Sequence, residues 1–392
     1  MQRGIFITFL RLGLTSFGGP IAHLAYFREA LVVRRRWLDD GEFAQLVAIC
    51  QALPGPGSSQ LGFAVGWLRG GWRGGLLAFL GFTLPSALLM FGLALLAPRL
   101  QGPVADAALH GLKLVAVVVV GHGLVGMART LTPDFRRAVL AVIVMVWMLG
   151  EGQAWQQPAV IAMGALAGIW FWDDLPALPV APMRVTHGRQ LAFGLLAVFA
   201  LGLGAALWLA GGPASLVALA ASQYQAGALV FGGGHVVLPL LEQSMVGSGW
   251  LSDAQFLSGY GAAQALPGPM FALSAYLGAL VPTGATPAAG AAVALVAMFL
   301  PGLLLVAAVL PLWQSLASHR WAPAAIAGIN AVVVGLLAAA MIGTVLPAGV
   351  RGAADAGIAV VGLLLLWLGR LNVLWAVVLI VAASVLLRAW SC

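Results

Sequence analysis

Long apolar runs alternate along the chain with short polar interruptions. Apolar segments fall at about 5–27, 43–66, 72–97, 104–126, 136–150 and 157–172. A second set falls at about 215–242, 254–280, 289–312, 323–346, 353–369 and 371–389, and one further segment, about 191–210, lies between the sets. Runs such as Ala197–Ala210, Val115–Val120 and Leu371–Leu387 have no solvated face. Helices that are apolar all round belong in lipid. The pattern predicts an all-α polytopic membrane protein.

The two sets are copies of each other. "FGGPIAHLAYFREALVVRRRWLDDGEF" (17–43) aligns with "FGGGHVVLPLLEQSMVGSGWLSDAQF" (231–256), and "QALPGP" at 51–56 recurs at 264–269. "GFTLPSALL" (81–89) echoes "MFLPGLLL" (298–305), and "GLKLVAVVVVG" (111–121) echoes "GINAVVVG" (328–335). Matches in the same order along both halves establish a duplication. The predicted organisation is an N-terminal repeat over 1–175, a linker with one transmembrane helix over 176–212, and a C-terminal repeat over 213–392. Two repeats of about six segments joined by one additional crossing must point in opposite directions, giving an inverted-topology pair.

Charge placement bears on the same point. Of 392 residues, 62% are hydrophobic and only 8% charged, against about a quarter charged in soluble domains. The net charge of +7 comes from arginines in short loops, as in "VVRRRWLDD" and "DFRRAVL", so it implies cytoplasmic loops rather than a nucleic-acid partner. Half one carries Arg28, Arg34, Arg35 and Arg36 in the loop whose counterpart, 241–253, carries no Lys or Arg. The positive-inside rule puts these two loops on opposite sides. Broken or re-entrant segments at the Pro-Gly-Pro sites would leave nearly every half-one arginine in the cytoplasm; plainly spanning, kinked helices would not. The two cysteines, Cys50 and Cys392, imply no disulfide framework, and no cleavable leader is expected at the N-terminus.

Lipid offers no hydrogen bonds, so a broken helix survives there only where protein or a water-filled cavity meets its free backbone groups. Pro54, Pro56, Pro267 and Pro269 each remove an N–H, and Gly55 and Gly268 permit unusual dihedrals. Gly18, Gly19 and Pro20 in half one and Gly232, Gly233 and Gly234 in half two interrupt the preceding segment. Inversion would bring these breaks together near the midplane, where half-helix N-termini attract anions. A lone break more often serves packing; the duplicated pair points to an ion site.

Arg11 is an arginine at depth that could clamp a dianion, or snorkel. Lys113, whose counterpart is Asn330, is the other deep cation. Gln51 and Gln264 precede the breaks with amide donors, and Ser58 and Ser59 follow the first with hydroxyls, although serine also fills tight helix contacts. His23 and His235 could couple transport to protons, or be satisfied polar groups; His110, His122, Tyr260 and Tyr276 rank lower. Asp40, Glu42, Glu242 and Asp253 could carry protons or pair with loop arginines, yet an acid just before an apolar run commonly caps a helix. No catalytic residue, metal ligand or cofactor is expected.

These residues carry a family resemblance. "TSFGGP" (15–20), His23, "RRRWL" (34–38), "QALPGPGSSQ" (51–60) and "GFTLPSALL" (81–89) resemble the first half of the chromate ion transporter family. "FGGGHVVLPLLE" (231–242) and "GYGAAQALPGPMFALSAYLGA" (259–279) resemble its second half. The resemblance implies a long-chain, two-repeat carrier that moves chromate outward across a bacterial inner membrane and is linked to chromate resistance, with sulfate as structural look-alike. The chain departs from the family after Pro269, where Leu-Phe-Thr-Phe is typical and Met270-Phe271-Ala272-Leu273 stands here, so Ala272 offers no hydroxyl.

The expectation is a secondary transporter of a small inorganic oxyanion, chromate or its analogue sulfate, embedded in membrane lipid; a homodimer is compatible with this design. A sulfate-type permease or anion channel is the alternative within transport. An enzyme acting on a lipid phosphate is the alternative of another class, and it would want acid, histidine and arginine clustered at one interface. No G-x-x-x-x-G-K-[ST] loop for ATP is present.

Overall fold

The computed structural model describes residues 2–17, 19–96, 102–151, 156–172, 175, 188–209, 212–231, 237–317, 319–369 and 373–390. The described residues of half one form α1 (Gln2–Thr15), α2 (Gly19–Phe27) with a π-helical continuation (Arg28–Arg34), α3 (Asp40–Ala52), α4 (Gly57–Leu96), α5 (Pro103–Leu131), α6 (Phe135–Glu151) and α7 (Gln156–Phe171). The unpaired helix α8 (Arg189–Leu209) follows. Half two forms α9 (Leu216–Leu229), α10 (Val237–Met245), α11 (Asp253–Ala265), α12 (Leu273–Leu280) and α13 (Pro287–Val309), then the short α14 (Trp313–Ala317), α15 (Trp321–Ala340), the short α16 (Leu346–Gly349), α17 (Ala353–Trp367) and α18 (Val373–Trp390).

The first segments of each half turn back inside the molecule. A crossing helix needs about 20 residues; α1 has 14 and α2 has 9. Phe9 of α1 meets Phe27 at the end of α2 edge-to-face at 5.7 Å, so the second helix returns along the first. The next hairpin is α3 with the first arm of α4. Its open end is marked by Trp37, just before α3, whose ring lies 5.5 Å from the Arg69 guanidinium at the far end of that arm. At Gly70 and Gly71 the backbone leaves helical geometry, and α4 reverses into a second, long arm. In half two, α11 and α12 repeat the hairpin: Gln264 bonds Met270 near the turn, while the Tyr276 hydroxyl donates to the Gln255 carbonyl (3.2 Å) further out. Arg28, Arg34–Arg36, Arg69 and Arg73 therefore gather at one end of half one, as broken segments require and kinked spanning helices would not.

Helices of the two halves pack directly against each other: α5 against α18, and α6 and α7 against α15. Ser384 of α18 donates to the Ala107 carbonyl of α5 (2.9 Å), and Gly111, one turn later, lies against Val381, one turn earlier, so α5 and α18 are antiparallel. Gly164 and Gly168 of α7 meet Val332 and Ala324 of α15 in the same antiparallel sense. Ala141 and Leu149 of α6 meet Gly335 and Gly343 in ascending order, while Val117 and Gly121 of α5 meet Gly349 and Met341 in descending order. Helix α15 therefore runs with α6 and against α5, its own counterpart in sequence.

The Pro-Gly-Pro segments join the halves at the centre. The Gly55 N–H donates to the Val230 carbonyl (2.7 Å), where α9 ends, and the Gly268 N–H donates to the Ser16 carbonyl (2.9 Å), just past α1. Gly55 and Gly268 occupy equivalent positions, as do Ser16 and Val230, so one hydrogen bond is made twice with the halves exchanged. Both glycines need positive φ, 128° and 93°. A Cβ on Gly55 would lie 2.9 Å from the Gly302 Cα, and one on Gly268 would lie 2.8 Å from the Ser86 hydroxyl; Ser86 and Gly302 are again equivalent, each following a helix-interior proline.

Gly268→Ala forces a left-handed backbone that a side chain adopts at a penalty of about 1–2 kcal/mol and presses a methyl onto Ser86. The purified variant is expected to melt several degrees below the parent. An unchanged melting curve would show that the tie is structurally dispensable.

Candidate functional site

The described ends of the broken segments, Ser16 and Val230, meet the two Pro-Gly-Pro turns at these ties, and half one fills their surroundings with polar side chains. In α4, Pro56 O accepts the Gln60 N–H (2.9 Å), which leaves the first-turn N–H groups of Gly57, Ser58 and Ser59 without intrahelical partners. The buried Gln60 amide donates to the Pro54 carbonyl (2.8 Å) and, across the halves, to the Gly302 carbonyl (3.0 Å). It supplies donors where prolines have removed them.

Beside this turn, Ser16, His23, Ser59 and Thr83 are each no more than 1% exposed. Among the described residues the hydroxyls of Ser16, Ser59 and Thr83 have no hydrogen-bond partner, and the only polar group within reach of the His23 ring is the Ser16 carbonyl, at poor hydrogen-bond geometry. The imidazole lies next to the Ser16 carbonyl, one lone pair of which accepts the Gly268 N–H, and it stacks edge-on against Phe82 at 5.4 Å. Phe27 touches Gly62, and Ser59 and His23 stand one turn before these residues on their helices, so both face the same seam. Thr83 follows Phe82, and its carbonyl accepts from the Ser86 hydroxyl (3.0 Å). Unpaired buried polar groups are rare and call for an explanation.

Below the cluster, Phe9, Phe27 and Phe82 close on one another, with Phe27–Phe82 centroids 5.0 Å apart. On the arginine-rich side of half one lies a cavity of about 360 Å³ lined by Arg11, Arg34 and Arg35 with Thr8, Thr15, Tyr26 and Glu29. Arg34 is paired with Glu29 at 2.8 Å, and Arg35 stacks on Trp37. Arg11 is exposed at this cavity rather than enclosed beside the breaks.

Other expected residues stand elsewhere. Gln51 is exposed on α3 and does not converge on the break, whereas Gln264 is buried with its amide bonded to the Met270 sulfur. Gly55 and Gly268 spend their N–H groups on the cross-ties, so they are fasteners rather than anion donors. Asp39, not Asp40, caps α3: its carboxylate accepts the Glu42 N–H (2.7 Å) while Glu42 reaches back to the Asp39 N–H (3.1 Å), which assigns Glu42 to a capping box. Asp40 pairs with Arg28 at 2.8 Å in an exposed setting. In half two Ser252 and Gln255 form the matching box; Asp253 lies next in the chain, and the equivalent of Arg28 is Glu242, placed beside Asp253 and the Thr344 hydroxyl. Lys113 is buried on α5 near His110, which pairs with Asp355 at 3.0 Å, away from the Pro-Gly-Pro turns. Gly18, Gly232, Gly233, Gly234 and His235 lie outside the described residues, and Gly19 opens α2.

Sequence reasoning missed Ser16, Gln60, Thr83 and Ser86. The signal was available: they are hydroxyls and an amide within otherwise apolar stretches, and Ser16, Thr83 and Ser86 face Val230, Phe299 and Gly302 in the repeat alignment.

Comparison with known proteins gives a consistent picture. The chain matches the family model described as chromate transporter over residues 3–169 and 217–387, once in each half. It is 30% identical over 352 residues to a chromate transport protein of Pseudomonas aeruginosa, covering 86% of this chain and 80% of that one. It is 27% identical to a chromate transport protein of Cupriavidus metallidurans, over 87% and 82% of the two chains, and to a probable chromate transport protein of Synechococcus elongatus, over 85% and 82%. No solved structure matches it significantly.

Gln60→Leu deletes two donated hydrogen bonds at buried carbonyls and is expected to destabilise the protein by about 1–3 kcal/mol. Asp40→Asn, which breaks an exposed ion pair, is expected to change stability by less than about 1 kcal/mol. Thermal unfolding in one detergent compares the two.

Proposed function

Since the chain belongs to the chromate transporter family, a multi-pass membrane protein and not an enzyme, we propose that it is a secondary carrier that exports chromate across a bacterial inner membrane. The single observation that carries this reading is the reciprocal tie of each Pro-Gly-Pro to the broken first segment of the other half. A purely structural membrane protein has no need to interrupt four segments and bring the interruptions together. A carrier does, because half-helix N-termini and freed backbone near the midplane make one anion site reachable from either side in turn.

The two repeats, 1–175 and 213–392, act as inverted units joined by the linker over 176–212, whose helix α8 supplies the odd crossing. The opposed directions of α5 and α15 support this, as does the concentration of arginines at one end of half one. By the positive-inside rule that end is cytoplasmic. Chromate then enters from the Arg11–Arg34–Arg35 cavity, where fixed positive charge concentrates a dianion. It passes the Phe9–Phe27–Phe82 contact when the hairpins separate, and it meets the first turn of α4 beyond. Transport is driven by an ion gradient, and sulfate, with the same tetrahedral charge pattern, is the competing substrate.

Uptake of radiolabelled chromate into inverted membrane vesicles tests this, with and without a pH gradient and against excess sulfate. Protein-dependent accumulation that responds to the gradient and is lost in the Pro54→Ala/Pro267→Ala double variant is expected. Flux of sulfate alone would keep the mechanism and overturn the substrate; accumulation indifferent to any gradient would overturn the secondary-carrier reading. Phe27→Ala, which opens the aromatic contact, is expected to raise gradient-independent leak of chromate several-fold.

A further inference from the structure

The frame of the protein is two-fold, but its buried polarity is not. The equivalents of Ser16, Ser59 and Thr83 in half two are Val230, Ala272 and Phe299, all apolar and all buried. Ser86, which adds a further hydroxyl beside Gly268, is replaced by Gly302. His23 too has no aligned counterpart: at the offset that matches Phe17 with Phe231 it faces Val237, and His235 stands opposite Ile21. Half two does bury unpaired polar atoms of its own, Ser222 and Gln223, but they stand on α9 about two turns before the break at Val230.

We propose that Ser16, His23, Ser59 and Thr83 form the one oxyanion seat of the carrier, built wholly within half one, and that His23 takes up a proton as the anion arrives. This rests on the carrier function proposed above and deepens it. Three hydroxyls without partners can turn their O–H donors onto the oxygens of a tetrahedral anion, as can the free N–H groups of the first turn of α4. Such donors recognise shape and oxygen geometry, yet they bring no full positive charge. The charge must come from the surroundings, and the elements packed on α2 bring none to the seat. Arg11 of α1 faces the outer cavity, Arg69 and Arg73 lie at the distant kink of α4, and Arg28 and Glu29 lie beyond Phe27 on the π-helical turn, Arg28 paired with Asp40 and Glu29 with Arg34. The neutral imidazole is the titratable group at hand. One proton from the bulk converts it to a cation, and a dianion plus that proton leaves a single net negative charge for the N-terminal dipole to offset.

Binding of labelled chromate and of sulfate to the purified full-length protein, in lipid nanodiscs between pH 7.5 and 9, tests the proposal. Thr83→Val preserves side-chain shape and Ser59→Ala removes one oxygen; each is expected to weaken binding by about tenfold or more, the effect of losing a hydrogen bond to a charged group. Ser222→Ala and Gln223→Leu, the unpaired groups of half two, are expected to leave affinity within about twofold, since they touch no bound charge. Titration calorimetry with sulfate in two buffers of different ionisation enthalpy should show one proton taken up per anion, with affinity falling about tenfold per pH unit, as single-proton linkage requires. His23→Gln should abolish both. Normal binding by Thr83→Val, or equal damage from Ser222→Ala, would overturn the half-one seat. Proton uptake that persists in His23→Gln would overturn the role of the imidazole. A parent protein that binds and transports neither anion would instead overturn the carrier reading, and the seat with it. Should Ser59→Ala fail to fold, Thr83→Val with restoration by Thr83→Ser decides alone, because a group that only packs would not respond to the hydroxyl.

Discussion

An unpaired backbone group in lipid is so unfavourable that it dictates where a membrane chain can be irregular. Here the need is met by exchange: the N–H that each half frees at its Pro-Gly-Pro is taken by a carbonyl that the other half frees at the end of its first helix. Positive φ at Gly55 and Gly268, the missing Cβ at Gly302 and the Gln60 amide follow from bringing those two strands of irregular chain within hydrogen-bond distance. The hairpins on either side inherit their depth from the same contact.

Much of this was legible in the amino-acid sequence because it is periodic or repeated. Apolar length gave the helices, and α8 at Arg189–Leu209 sits where an unmatched segment was expected at about 191–210. Repetition gave the halves, and arginine placement favoured broken segments over kinked ones. What the sequence concealed was which groups satisfy one another. Gln51 and Gln264 look equivalent on paper, but one is exposed and the other bonds Met270, because surroundings rather than motifs decide which amide is buried. Asp40 and Asp39 differ by one position, and only the geometry of the first turn of α3 selects Asp39 as the cap.

The polar residues around the breaks were missed for a related reason. Duplication draws the eye to what both halves share, and the shared residues turn out to be structural: the prolines, the two glycines and the aligned capping boxes. Ser16, Thr83 and Ser86 belong to one half only, so they stand in the repeat alignment as mismatches rather than as matches. The rims diverge likewise, with an Arg28–Asp40 pair in half one and two acids, Glu242 and Asp253, at the equivalent place in half two. The repeated scaffold thus carries unlike charge at equivalent positions of its two halves.

The exchanged hydrogen bonds also bear on how the protein is made. Gly55 cannot find its acceptor until Val230 has been synthesised, and the Ser16 carbonyl waits longer still, for Gly268. At ribosomal rates of about 5–20 residues per second, half one stands in the membrane with its breaks unsealed for roughly ten to forty seconds. During that interval the insertion machinery or trapped water must supply the partners, so biogenesis is the stage at which this architecture is most exposed to failure.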